Sequence, residues 1–400
     1  QSAFDEGGFA EEFAEGVFDL KILDPAMGSG HFLTSAIDYL AREIIDAQER
    51  QAAQQGIETV DEEHDINWAR RQVAQRCIYG VDLNPLAVEL AKVSLWLRTL
   101  AAEQPLAFLD HHLKTGNSLV GSDIEEIEEL ESDAGGDGQN ASLADFGVAR
   151  KGTIEQLMRI YEDFIAIENQ DLTDVKQMEA KYDEFERNQL RQRLEAMTNV
   201  HTAQEFGLDN LPSDAYERMA AALEDDEKWA AIEDVQWFRD AQKWADENDY
   251  FHWKLEYPEV FYDKNGNQVS NPGFDAVIGN PPYVRMEQIK PLKPYLSSSY
   301  ECHDSRVDLY AYFAERSLEL ADNRYGVVIS NKWIKSKYGK NLRKILSEYQ
   351  IEQLIDFGDL EVFEGITAYP CIMIVNTKSE LENEVAVTRI TDLSFDSLSD

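Results

Sequence analysis

Short apolar runs alternate with stretches of helical spacing along most of this chain. Leu20-Lys21-Ile22-Leu23 reads as a strand entering the turn Asp24-Pro25-Ala26-Met27-Gly28-Ser29-Gly30, and a helical pattern follows from His31 to about Ile45. Cys77–Val81 is the next strand and ends in Asp82-Leu83. A helix then runs from about Pro85 to Leu100, with apolar spacing through Leu86, Leu90, Val93 and Leu97. Leu109–Lys114, followed by Thr115-Gly116-Asn117-Ser118-Leu119, is a third strand and loop. Beyond the middle of the chain come a buried strand at Phe274–Gly279, an amphipathic helix at Asp308–Leu320 and a strand at Tyr325–Ser330. A basic helix at Lys340–Tyr349 and strands at Ile351–Phe357 and Pro370–Val375 complete the series. Helices alternating with strands predict an α/β fold with a mostly parallel sheet covered on both faces.

Between Ile124 and about Asp249 the pattern changes. Glu125–Glu129 and Asp133–Gly138 read as a solvated, flexible connector, and Gly152–Met197 and Asp214–Asp246 as long, densely charged helices packed on the main body. The expected divisions are 1–120, a helical insertion at 121–250, a second half at 251–378 and the start of a further segment at 379–400. A chain that begins with Gln1 and ends in mid-pattern is expected to be a piece of something longer.

Composition narrows the class. No run of about 18 apolar residues is present, so no membrane span is expected. Cys77, Cys302 and Cys371 are widely spaced and odd in number, which fits neither a disulfide framework nor a zinc site; an intracellular, cytoplasmic protein is the natural expectation. The formal charge of −40 alone argues against a nucleic-acid partner. A proteome adapted to high salt gives the same charge without that implication. Local charge favours this second explanation, because Arg285–Lys344 holds 12 Lys and Arg against 7 Asp and Glu. Within Asn331–Leu346, Lys332, Lys335, Lys337, Lys340, Arg343 and Lys344 stand with no acid among them, as a phosphate-gripping surface would.

The strand at Phe274–Gly279 stops in Asn280-Pro281-Pro282-Tyr283. Neither proline donates a backbone hydrogen bond and both fix φ, so this loop is stiff and presents bare carbonyls. Asn280 adds an amide oxygen and Tyr283 a flat aromatic face, which together suit an exocyclic amino group on a planar ring. The bland alternative is a turn after a core strand. The glycine-rich turn between strand and helix brings a ligand against bare backbone, though its glycines lack the G-x-G-x-x-G spacing. An acid closing the second strand, Asp82, is placed either to hold a ribose diol or to cap the helix behind it. His111 and His112 are adjacent, so they are expected to face apart and to be structural. Pro212-Ser213-Asp214 with Asp226-Glu227-Lys228 is a distorted echo of a nuclease core, lying in helical sequence.

With these elements placed, the chain resembles S-adenosylmethionine-dependent adenine-N6 DNA methyltransferases, in particular those of type IIG restriction-modification and of BREX and phage-growth-limitation systems. The resemblance rests on Asp24-Pro25-Ala26-x-Gly28-Ser29-Gly30-x-Phe32-Leu33 and Asn280-Pro281-Pro282-Tyr283, and covers nearly everything except the helical insertion. Phe251-His252-Trp253…Pro258-Glu259-Val260-Phe261 looks like a signature of this subgroup with no evident chemical role. The resemblance implies a Rossmann-like seven-stranded sheet. It also implies that Asp24, Pro25, Ala26, Gly28, Ser29, Gly30 and Phe32 hold the methionine part of the cofactor, Asp82-Leu83 the ribose and Asn117 the adenine. Asn280, Pro281, Pro282 and Tyr283 would grip a flipped adenine in double-stranded DNA, with Phe363 covering its second face. Restriction or defence-system subunits would be partners. Methylation of RNA or a glutamine amide, or a silent DNA-binding scaffold, remain the alternatives.

Overall fold

Eight strands and seventeen α-helices form among the described residues of the computed structural model, which are 9–56, 62–99, 109–129, 141–167, 172–285, 289–360, 362, 369–379 and 384–393. The chain divides into two units: Gln1–Lys21 with Met27–Pro272, and Ile22–Ala26 with Gly273–Asp400.

In chain order the elements are α1 (Phe9–Phe18), β1 (Ile22–Asp24), α2 (His31–Gln55), α3 (Glu62–Arg76), β2 (Ile78–Asp82), α4 (Pro85–Arg98) and β3 (Leu113–Thr115). The insertion supplies α5 (Ile124–Glu129), α6 (Ala141–Ile165), α7 (Leu172–Glu186), α8 (Gln189–Glu205), α9 (Ala215–Ala220), α10 (Asp226–Glu233) and α11 (Gln236–Asn248). Two single turns follow, α12 (Trp253–Glu256) and α13 (Pro258–Phe261). The last part holds β4 (Phe274–Gly279), α14 (Lys293–Ser299), α15 (Tyr310–Leu320), β5 (Ala321–Ser330), α16 (Lys332–Lys335), α17 (Lys340–Leu346), β6 (Gln350–Asp356), β7 (Pro370–Asn376) and β8 (Ala386–Arg389).

The fold is mixed α/β with eight strands among the described residues, one more than the expected seven. In the first unit β2 and β3 pair in parallel. In the second unit the order is β1-β4-β5-β7-β6-β8. Pairing is parallel at β1–β4, β4–β5 and β6–β8, and antiparallel where β7 lies between β5 and β6. The unforeseen strand is β8, all of whose residues are exposed. Its apolar run, Val385-Ala386-Val387, is short, and no buried face sets it apart as a strand.

Caps set the helix starts. Asn84 accepts a hydrogen bond from Leu86 N at 3.0 Å, with Pro85 in the first turn of α4, and Asn188 caps α8 through Leu190 and Arg191. Helix α4 buries Val88, Ala91 and Leu95, whereas Leu86, Leu90, Val93 and Leu97 are exposed. Packing therefore uses the narrower side, where Ala91 and Leu95 close on Gly30.

Three expectations for the first unit are corrected. The acidic run 125–129 is helical rather than a solvated connector: Glu125 accepts from Arg150 at 3.1 Å, from Lys254 at 3.4 Å and from the Tyr262 hydroxyl. Residues 133–138 lie outside the described residues. The charge of the insertion is not all solvated either. Arg191 is buried against Glu256 at 2.9 Å, Glu195 at 3.1 Å and Glu186 at 3.3 Å, and buried Lys114 of β3 meets the same Glu256 at 2.8 Å. Finally, the His111 and His112 rings lie 3.9 Å apart instead of facing away from each other. They sit in a turn before β3, and side chains alternate only along an extended strand. Burial lowers both pKa values, His111 to about 3, so each ring is neutral.

The Phe251–Phe261 stretch has a structural role. Phe251 occupies the space that side chains at Gly116 and Gly121 would need, since a Cβ there would come within 2.4 Å of its ring and 2.1 Å of its carbonyl oxygen. The Tyr257 hydroxyl sits 2.9 Å from His112 O and 3.2 Å from Gly80 O, joining β2 to the turn before β3.

Candidate active site

The glycine turn is built by backbone conformation. Gly28 and Gly30 have φ of 53° and 80°, a region side chains resist, and a Cβ on Gly30 would lie 2.9 Å from Leu95 Cδ1. Met27 N donates to Val81 O at 3.0 Å and Gly28 N to Asp82 Oδ2 at 2.9 Å, while Asp82 Oδ1 accepts from Asn84 N at 2.9 Å. The Asp82 carboxylate thus fastens the tip of β2 both to the glycine turn and to the approach to α4. Each oxygen keeps a lone pair for a diol. No described residue lies within 4 Å of where a Gly28 Cβ would stand, and Phe32 and Leu83 expose apolar surface (37% and 54%). Ser29 Oγ is 3.0 Å from His31 Nδ1. These residues fit a nucleoside carrying a short polar chain.

Asn117, read as the adenine contact, is buried and already engaged. Its Oδ1 accepts from Leu119 N at 3.3 Å and its Nδ2 donates to Asn248 O at 3.3 Å.

In the second unit, Asp24 closes β1 and is 1% exposed, with Oδ1 accepting from Ala26 N at 3.0 Å. Gly279, the last residue of β4, must be glycine for Asp24 to sit there, because a Cβ would lie 2.8 Å from Asp24 Oδ1. A small pocket beside them is lined by Asp24, Pro25, Ala26, Gly279, Pro281 and Phe313, among others. Asn280 follows directly. Its Oδ1 is buried and has no hydrogen-bond partner among the described residues. A buried amide oxygen without a donor costs about 1–3 kcal/mol, so its persistence calls for a reason. The loop around it is held: the Tyr283 hydroxyl donates to Val328 O at 3.3 Å and Val284 O accepts from Leu309 N at 2.9 Å. Tyr283 is 37% exposed.

The basic island separates into two kinds of residue. Lys332, Lys335, Lys337 and Lys340 are exposed, and the last three make no ion pair among the described residues. The Lys332 ammonium stands 5.5 Å over the Tyr369 ring. Arg343 instead braces the chain between α16 and α17, donating to Ser336 O at 2.9 Å and to Trp333 O, and Lys344 lies 3.4 Å from Glu301. Phe363 lies outside the described residues. Asn331, which the sequence reading passed over, donates from Nδ2 to Asp356 Oδ1 at 2.7 Å and from its backbone to Tyr369 O at 2.6 Å. It thereby ties the ends of β5 and β6 to the start of β7. Its only sequence signal is an Asn closing an apolar strand, as at Asn280. The nuclease echo is spent on structure: Asp226 accepts from Arg193 at 2.6 Å and from Gln189 at 2.9 Å, and Lys228 pairs with Asp225 at 2.9 Å.

Comparison with known proteins yields methyltransferases of restriction-modification systems. Residues 76–363 match the family described as Eco57I restriction-modification methylase, and residues 3–119 match the DNA-methyltransferase domain of MmeI. The chain belongs to the Eco57I restriction-modification methylase family. The resemblance read from the motifs is borne out, and the family's methyl donor is S-adenosylmethionine. Among curated relatives, Type II methyltransferase M.BstVI of Geobacillus stearothermophilus is 32% identical over 152 residues, 36% of this chain and 25% of its own. Type II restriction enzyme and methyltransferase RM.Eco57I of Escherichia coli is 34% identical over 133 residues, 32% of this chain and 13% of its own. Among solved structures, Type IIL restriction-modification enzyme MmeI in complex with DNA aligns with a TM-score of 0.44 at 14% identity, over 97% of this chain and 35% of that one. The matched part is thus a quarter or less of either curated relative.

Proposed function

We propose that this chain transfers a methyl group to the N6 amino nitrogen of adenine in double-stranded DNA, as part of a restriction-modification or phage-defence system. The observation that carries the proposal is the buried Oδ1 of Asn280, unpartnered among the described residues, in a loop whose next two residues have no N–H to offer it. An amino hydrogen is the donor this oxygen lacks. The Pro281 carbonyl would take the second hydrogen. Holding both hydrogens turns a delocalised, weakly nucleophilic nitrogen toward a pyramidal one with its lone pair aimed outward. Gly28, Asp82 and the Asn117 loop would hold the cofactor, which supplies an electrophilic methyl group on a sulfonium. No general base is needed; the amino nitrogen sheds its proton after transfer.

A base reaches such a loop only after leaving the duplex, at a cost of a few kcal/mol. Stacking on Tyr283 returns about 1–3 kcal/mol, and Phe363 is assigned to the opposite face. Lys335, Lys337 and Lys340, free of acidic partners among the described residues, would grip phosphate and orient the duplex without reading its sequence. A chain of net charge −40 that retains such an island fits a protein working at high salt.

The test is methyl transfer by the full-length protein from labelled S-adenosylmethionine in high-potassium buffer. Duplex DNA, RNA and protein are offered in parallel, with Asn280→Ala as the control. Label on DNA that disappears in the variant supports the proposal. Label on RNA or on glutamine overturns it, and cofactor binding without transfer to any acceptor leaves a scaffold.

A further inference from the structure

The helical insertion returns to the main fold at the loop that follows β3, and the way it returns gives it a function. Asp249, directly after α11, is the one non-glycine residue with positive φ (51°) among the described residues. Its left-handed backbone ends α11, with its N–H on Ala245 O. The same conformation turns its carbonyl to Asn117 N, at 2.7 Å. The Asn117 side chain closes the clasp through Nδ2 on Asn248 O, 3.3 Å. Asn117 and Tyr250 then pair as a short parallel bridge, and Phe251 N donates to Val120 O at 2.8 Å. Past the clasp, Trp253 Nε1 donates to Ser118 O at 3.2 Å, and His252 lies 3.2 Å from Ser122 and 2.8 Å from Asn199 Oδ1 of α8. The loop 116–122 has glycine at both places where Phe251 presses on it. The two strips of chain that meet here are separated in sequence by the whole insertion.

We propose that the exit of the insertion, residues 248–251, is a latch that sets the position of the cofactor's nucleoside loop, with Asp249 and Asn117 as its positioning residues. The inference rests on the reading of the Asn117 loop as the adenine side of the cofactor site, and it assigns the insertion to assembly of that site. A latch of this kind makes cofactor affinity depend on how α11 ends, far along the chain from the glycine turn.

The test compares Asp249→Gly, Asp249→Val and Asn117→Ala in the full-length protein. Dissociation constants for S-adenosylmethionine and for S-adenosylhomocysteine are measured by calorimetry, beside melting temperature. Glycine adopts φ near 51° freely and valine resists it, so the latch predicts affinity within about two-fold of the parent for Asp249→Gly and at least ten-fold weaker for Asp249→Val. In turnover, Asp249→Val raises KM for the cofactor while KM for DNA stays unchanged, a split that general loosening of the fold would not produce. If Asp249→Val binds cofactor like the parent while Asn117→Ala binds weakly, the latch is wrong and the site reading stands. If Asn117→Ala and Asp249→Val both bind normally, the assignment of the loop to the cofactor falls, and the latch with it.

Discussion

Asp82 and Asn280 each close a strand, and each offers an acceptor beside a turn, yet their circumstances are opposite. Both oxygens of Asp82 hold backbone N–H groups, those of Gly28 and Asn84, and the carboxylate keeps the glycine turn in shape. Asn280 Oδ1 holds nothing among the described residues and is buried all the same. A satisfied acceptor stabilises the frame, whereas an unsatisfied one destabilises it until a ligand arrives. The same division runs through the basic island: Arg343 is committed to backbone carbonyls, while Lys335, Lys337 and Lys340 are committed to nothing among the described residues.

The sharpest way to break this contrast is Asn280→Ala. Loss of a group aimed at the reacting nitrogen is expected to lower kcat by about 10²–10³-fold, measured by label transfer, while leaving melting temperature unchanged or raised. A variant that unfolds instead would put Asn280 among the frame residues.

Gly30→Val is expected to do the reverse. A branched side chain at φ 80°, with its Cβ 2.9 Å from Leu95, should cost about 2–4 kcal/mol of folding free energy in a denaturant titration. An unaltered midpoint would mean that the turn is not fixed by close packing.

Glu259 tests the frame at a weak point. Burial pushes its carboxyl up to about 7 from 4.5, so the folded state favours the protonated form. The associated stability is fully present below about pH 4.5 and is lost as pH rises to about 7 and beyond. Glu259→Gln should therefore melt like the parent at pH 4.5 and exceed it at pH 8 by up to about 3 kcal/mol. Equal melting at both pH values would show that this carboxyl is solvated.

The smallest effect concerns the free lysines. Replacing Lys335, Lys337 and Lys340 by alanine should reduce the slope of log affinity for DNA against log salt by about 2–3, with no change in base preference. Arg343→Ala should lower the melting temperature as well.

Much of this contrast was legible in the chain. Asn280-Pro281-Pro282-Tyr283 announces an acceptor without neighbouring donors, and Gly28 and Gly30 announce a turn that side chains would block, because both signals are local covalent facts. What escaped depends on partners far away in sequence. The spacing of Leu86, Leu90, Val93 and Leu97 identified a helix but not the face it buries, which Gly30 decides by admitting Ala91 and Leu95. The acidic run at 125–129 looked solvated because Arg150, Lys254 and Tyr262 are its partners only in the fold. His111 and His112 were expected to face apart on a strand that proved to begin at Leu113.

The central claim is that Asn280 keeps its oxygen free for the amino group of adenine. Methylated duplex DNA digested to nucleosides and resolved by mass spectrometry tests it most directly. The expected product is N6-methyladenosine as its deoxynucleoside, absent when folded Asn280→Ala replaces the parent. Methyl on cytosine N4, or an undiminished yield from Asn280→Ala, would contradict it.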